Sequence, residues 1–235
     1  MTAVGGTIGG RSDVVGGLVT GSVIVSLLTM GYLHLAGAGL VDPLDQPISD
    51  YVVMQGGYVL LGVAAAALAG ASVMLAAALG NTGLPRPGPP AVLLLSAAAA
   101  LVLAAAFPTN IPGTEAGVVA NVHRVAGGWV LAALPSAAWL VARRARAGGG
   151  WAANARVLTL WSGAAGVLSI TYMLSHVPIV IGTSSGVPLV GGFERVVYAA
   201  VMVVMLVTAR AAQLATGRAM SASVPGSVVG RGVAA

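Results

Sequence analysis

Apolar residues run along this chain in long blocks, and nearly every ionisable residue falls in the gaps between them. A bilayer core takes about 20 apolar residues per helix. Six blocks reach that length: Leu18–Leu40, Tyr51–Leu79, Ala91–Ala106, Val118–Ala142, Val157–Ile181 and Arg195–Leu214. Pro43, the Pro85/Pro87/Pro89/Pro90 cluster, Pro108, Pro112 and the Gly148–Gly150 run punctuate the gaps, as helix-ending residues should. The pattern predicts an all-α polytopic bundle of six transmembrane helices over residues 18–214. Residues 1–17 form a cytoplasmic N-terminal segment and residues 215–235 a disordered cytoplasmic tail. Ala36-Gly37-Ala38 imitates a signal-peptide cleavage site, but the first apolar block exceeds the usual 7–15 residues of a signal core. It reads as a retained helix.

Composition strengthens the assignment. Hydrophobic residues make up 57% of the chain and charged residues 7%, with a mean hydropathy of +0.95, against about 25% charged in soluble domains. The 34 glycines and many alanines suit close helix approach. Gly17/Gly21 and Gly62/Ala66/Gly70 predict packing seams, and Gly127/Gly128 and Gly163/Gly166 predict notches in the fourth and fifth helices. The absence of cysteine removes disulfides, thiolate catalysis and covalent haem. The absence of lysine removes Schiff-base chemistry and a Walker A loop. The net charge of +5 does not suggest nucleic acid, because the arginines flank apolar spans instead of forming a patch interleaved with aromatics.

Arginine also orients the bundle. Arg86, then Arg143, Arg144, Arg146 and Arg156, then Arg210, Arg218 and Arg231 occupy the second gap, the fourth gap and the tail, and Arg11 precedes the first span. Basic loops stay cytoplasmic, so both termini are expected inside a plasma membrane. Asp42, Asp45, Asp50, Glu115 and Glu194 then face outward with only Arg124 and Arg195 as cations, and His34, His123 and His176 lie in the outer half. A polar pocket is expected on that extracytoplasmic side.

Within that half, Asp50, Glu194, His123 and His176 are the candidate catalytic groups. His34, Tyr51, Gln55, Tyr58, Asn110, Arg124, Trp129, Tyr172, Arg195 and Tyr198 are the candidate substrate contacts. Ser26, Met30 and His34 share one helical stripe, and Ser169, Tyr172 and His176 another, so His34 and His176 could face each other at equal depth. Three imidazoles at one depth are a conceivable haem or metal site, but no HxxxH or HExxH pair is present, and neither a metal nor a cofactor is assigned. Ser49 or Asp50 offers a cap for the second helix. Alternatively, Asp50 is a proton donor whose pKa is raised by desolvation. Arg124 and Glu194 suggest a cross-helix ion pair.

Pro47-Ile48-Ser49-Asp50-Tyr51 before the second helix, Phe107-Pro108-Thr109-Asn110 after the third, Val122-His123 opening the fourth and Gly192-Phe193-Glu194-Arg195 opening the sixth follow one another in order along the chain. Together they resemble the bacterial and archaeal membrane family catalogued as domain of unknown function 998, over about Leu18 to Leu214. The resemblance implies six helices. The resemblance implies an acidic residue where this chain carries Thr109-Asn110, a departure that weighs against shared carboxylate chemistry in that loop.

Three functions compete. One is a membrane enzyme acting on a lipid-like or isoprenoid substrate by acid-initiated, terpene cyclase-like chemistry, in which Asp50 or Glu194 protonates an alkene or epoxide and aromatic side chains stabilise positive charge. The second is a non-catalytic lipid-binding or envelope-complex accessory protein, with a protein partner or a second copy. The third is a histidine-ligated haem or metal redox protein. A lipid bilayer and a hydrophobic small molecule are the expected partners.

Overall fold

The computed structural model describes residues 5–111, 114–180 and 187–223. Those residues fold into six long helices: α1 (Gly5–Ala36), α2 (Gly57–Gly80), α3 (Gly88–Ala106), α4 (Val118–Ala145), α5 (Ala155–Ser175) and α6 (Val190–Ser223). Two 3-10 segments, Ile48–Val53 and Gly149–Asn154, and a single helical turn, Val177–Val180, complete the described structure. Each long helix belongs to a stretch long and apolar enough to cross a bilayer, so the chain is a six-span, all-helical membrane protein. A helix satisfies its own backbone polar groups, as a span in hydrocarbon must.

Each helix packs against the next, and α6 returns to α1, closing a ring. α6 also reaches α2 and α4, so α4 and α6 contribute the most buried spans. Alanines dominate where helices meet, among them Ala71, Ala97, Ala133, Ala137, Ala142 and Ala215. Such small side chains let backbones approach closely where lipid gives no hydrophobic reward for association. Larger apolar side chains turn outward, with Leu35 82% and Val125 75% exposed. A face of that kind suits hydrocarbon, not water.

Several expected boundaries and seams move. α1 stops at Ala36, not Leu40, because the chain turns through Gly37 and Gly39, the latter at φ +84°. Tyr51 does not open the second helix: Pro47 leads into the 3-10 segment, and α2 starts at Gly57 after Gly56 at φ +76°. Neither Ser49 nor Asp50 caps α2, whose N-cap Gly56 has no side-chain cap hydrogen bond. α6 starts at Val190, ahead of Arg195, and continues to Ser223, so residues 215–223 of the expected tail are helical. The rest of that tail and Ile181, the expected end of the fifth span, lie outside the described residues. Gly17, Gly21, Gly62 and Gly70 are not tight seams, since a Cβ added at any of them meets nothing within 4 Å. The close approaches are elsewhere: Gly16 beneath the Gln213 side chain, Gly150 on Ala215 and Gly191 on Gln46. Gly163 and Gly166 do form notches, against Trp139 and Pro135.

The two ends of the bundle differ in chemistry. At one, Arg144 donates to the Arg86 carbonyl, Arg218 donates to the Gly150 carbonyl at 2.8 Å, and the buried Trp151 indole donates to the Thr82 carbonyl at 2.9 Å. Arg144 thus ties α4 to the α2–α3 loop, Arg218 ties the end of α6 to the α4–α5 loop, and Trp151 joins the two loops. At the other end, residues 37–56 form a cap over the bundle. Gly192 N–H donates to the Leu44 carbonyl and Leu189 N–H to Asp45 Oδ1, both at 2.8 Å.

Candidate functional site

Beneath this cap lies a cavity of about 110 Å³, walled by α1, α2, α3 and α6, with His123 of α4 at its edge. That is several times the 10–15 Å³ one water needs. Ile48, Ser49 and Val52 of the 3-10 segment form its roof, and Leu68, Leu101, Met202 and Ser26 its inner end. Glu194 and Met202, two turns apart on α6, place roof and inner end about 12 Å apart along the helix. Most of the wall is apolar. Its polar members are Ser26, Ser49, Tyr58, Thr109, His123, Glu194 and Tyr198.

Glu194 is the buried carboxylate of the wall, 8% exposed. Its Oε2 accepts the Ile48 N–H at 2.6 Å, and the Tyr172 phenol also hydrogen-bonds it. Tyr198, one helical turn on, faces the same group. The carboxylate therefore both lines the cavity and holds its roof.

Arg195, the next residue, works on the cap. Its Nε donates to His34 Nε2 at 2.6 Å, and one terminal nitrogen donates to the carbonyls of Gln46 at 2.9 Å and Gly191 at 2.8 Å. The other reaches the Tyr51 hydroxyl at 3.4 Å, and the guanidinium lies 5.7 Å from that ring's centre. His34 Nδ1 stands 2.6 Å from the Met30 carbonyl, so the ring proton belongs on Nδ1 and Nε2 accepts from Arg195. Tyr51, 1% exposed, packs with Leu33 and Val41 in a small core of its own. Gly37 and Gly57 make this fit possible, because a Cβ at either would collide with Tyr51.

The three histidines do not converge. His123 Nδ1 stands 2.9 Å from both the Ala104 and Phe107 carbonyls, which leaves Nε2 as its free acceptor. His176 ends α5, with Nδ1 2.9 Å from the Tyr172 carbonyl and its ring 4.3 Å from that tyrosine's. Among the described residues no three His, Cys, Asp or Glu side chains group as a metal site.

Asp50 sits in the cap beside the wall. Burial raises its pKa above the ordinary 3.8, and this outweighs the opposing pull of Arg124, Arg195 and a hydrogen bond from Gln46. Arg124 does not pair with Glu194; it is exposed and donates to Asn110 Oδ1 at 3.0 Å. Asn110 in turn donates to the Thr114 carbonyl at 2.8 Å, ordering the α3–α4 loop. Trp129 is 47% exposed and donates to Ser96 Oγ at 3.0 Å, facing away from the cavity, and Gln55 is exposed on the cap.

Of the residues picked from sequence, Tyr58, His123, Glu194 and Tyr198 line the cavity, while His34, Tyr51, Asp50, Tyr172 and Arg195 surround it. Ser49, Thr109 and Gln46 were missed. Ser26 was placed on the right stripe but not in the site. What marks it is structural: the Thr29, Ser72, Ser162 and Thr208 hydroxyls donate to the carbonyl four residues back. The buried Ser26 hydroxyl has no such partner.

The motifs that bind cap to bundle, Pro47–Tyr51 and Gly192–Arg195, lie within residues 19–211, which match the family model described as "Protein of unknown function (DUF998)". The chain belongs to this family. Neither a curated protein nor a solved structure matches it.

Proposed function

We propose that this DUF998 protein holds a lipid-like small molecule inside the membrane, in the cavity between α1, α2, α3 and α6. The observation that carries the reading is the wall itself: apolar along its length, with a buried carboxylate, an imidazole and two phenols at the capped end. Ligand sites are concave, mainly apolar and marked by a few convergent polar groups. Polar groups at membrane depth are costly enough to suggest a function. The arginine distribution supports an extracytoplasmic setting for the capped end, at a plasma membrane.

The test is native mass spectrometry of the full chain released from detergent. The wild type should carry a small hydrophobic adduct, and Gly62→Leu should lose it. Gly62 lines the cavity and has open space where a Cβ would go, so leucine fills the site without straining α2. Equal adducts on both proteins would refute the reading.

A second reading is acid-initiated chemistry on the same ligand. It is favoured by Glu194, a carboxyl group buried in an apolar wall with Tyr172 and Tyr198 beside it. Among the described residues Tyr58 and Tyr198 bring the phenol rings to the wall and no Trp or Phe joins them, so little is available to stabilise a travelling carbocation. Binding is therefore the better-supported function. Recovery of a cyclised product from a polyene alcohol or epoxide incubated with the protein, lost in Glu194→Gln, would reverse that order.

A further inference from the structure

The hydrogen-bonding character of the capped end restricts which head group fits there. The hydroxyls of Ser49, Tyr58, Thr109 and Tyr198 can donate or accept, so the wall groups that discriminate between heads are the Glu194 carboxylate and the His123 imidazole. A carboxylate has only acceptor oxygens. His123 is constrained in the same sense. Its Nδ1 faces two carbonyl oxygens, which accept but cannot donate, so the proton sits on Nδ1 and only the Nε2 lone pair remains for a ligand.

The cations that would welcome an anion are engaged elsewhere. Arg195 spends its donors on His34, Gln46, Gly191 and Tyr51, and Arg124 donates to Asn110. Neither lines the cavity. A phosphate, diphosphate or carboxylate head would lie against the Glu194 carboxylate and meet no cation among the wall residues, and like charges in a poorly solvated site repel strongly.

We infer that the ligand is an amphiphile with a hydrogen-bond-donating head, a primary amine or a hydroxyl, and that anionic lipids are excluded. This rests on the cavity being a ligand site, as proposed above. An ammonium or hydroxyl head would donate to Glu194 and to His123 Nε2, with its tail along Leu61, Leu68, Leu101 and Met202.

The experiment uses the full chain in nanodiscs of neutral lipid at neutral pH. A photoreactive long-chain alcohol is crosslinked to it in competition with decylamine, decanol, decanoate or decyl phosphate. The shared tail cancels the apolar contribution, so differences report the head. Decylamine and decanol should compete at least about tenfold more strongly than either anion, the factor expected from one charge-assisted hydrogen bond kept or lost. In Glu194→Gln the advantage of the amine over the anions should shrink as the anions gain.

Anions competing as well as the amine in the wild type would overturn the inference, as would an unchanged ranking in Glu194→Gln. Gly62→Leu is the control for specific occupancy. If it crosslinks as strongly as the wild type, the ligand reading of the cavity itself fails. If it abolishes crosslinking while the head groups rank equally, only the head-group assignment fails.

Discussion

Arg195→Met should loosen the cap while sparing the bundle. The substitution removes three short hydrogen bonds, to His34 Nε2, Gln46 O and Gly191 O, and the longer one to Tyr51. A bond involving a charged group contributes about 1.5–3 kcal/mol. Arg195 is half-buried, so water can recover part of what Gln46 and Gly191 lose, and methionine keeps most of the apolar stem. The expected cost is therefore about 2–4 kcal/mol, less than three independent bonds. At about 2–4 °C per kcal/mol for a chain of this size, the melting temperature in detergent should fall by roughly 5–15 °C. Hydrogen exchange supplies the regional test, since local opening has its own free energy. Protection should drop over residues 37–56 and persist through the buried parts of α4. Arg195→Lys should recover little, because an ammonium cannot reproduce the planar fork that serves His34 and two carbonyls together. A melting temperature within about 2 °C of wild type, or protection lost equally across α4, would show that Arg195 is not what holds the cap.

Gly191→Ala should lower the melting temperature by several degrees, because its Cβ would stand 2.1 Å from the Gln46 carbonyl oxygen, a backbone atom with little freedom. Gly21→Ala, with nothing within 4 Å of the added Cβ, is the neutral comparison, and equal effects would refute the steric argument. Trp151→Phe keeps most of the ring but strips the Thr82 carbonyl of its indole donor; thermal melts should register a loss of about 1–3 kcal/mol, and no loss would mean that the bond adds nothing. For Asp50 the raised pKa fixes the sign. A carboxyl group whose pKa is higher when folded favours the folded state while protonated, and that contribution is lost as pH rises through the folded pKa. Asp50→Asn should therefore melt higher than wild type at pH 7, with the gain shrinking as pH falls towards 3.8. A gain independent of pH would contradict the assignment to ionisation.

The spans were legible because a bilayer imposes length and apolarity on each helix separately, so hydropathy alone located six of them. The cap was not. Residues 37–56 carry Pro47, Tyr51 and Val52-Val53 in a pattern that continues naturally into the apolar run of α2. Only tertiary contacts with α6 show that Ile48–Val53 is a separate 3-10 roof. Glycine ridges misled for a related reason: in a membrane protein a small-residue stripe is as compatible with a lipid-facing surface as with a seam, and Gly17 and Gly21 lie on the former. Glu194 and His123 were found because ionisable residues at helix starts are conspicuous in so apolar a chain. Their common cavity depended on helix order around the ring, which periodicity does not encode. His176 and Trp129 had the same sequence appeal, yet one ends α5 beside Tyr172 and the other faces outward.

The cap and the cavity are mechanically one unit because two adjacent residues serve different sides. Successive residues on a helix point about 100° apart, so Glu194 reaches the cavity and the Ile48 N–H while Arg195 reaches α1 and the loop before the 3-10 segment. Any molecule that hydrogen-bonds Glu194 meets a carboxylate already holding the roof. Whatever it does to the Glu194–Ile48 bond changes the stability of the cap, and by linkage the stability of the cap changes the molecule's affinity by the same factor. A donor head that uses the second carboxylate oxygen leaves the Ile48 bond intact and adds to the closed state. A head that displaces the Ile48 N–H must open the roof against the Arg195 contacts. On the proposed reading of the cavity, the same dipeptide favours ligands that fit beneath a closed cap, and it makes Arg195, which does not itself line the cavity, a determinant of what the wall can hold.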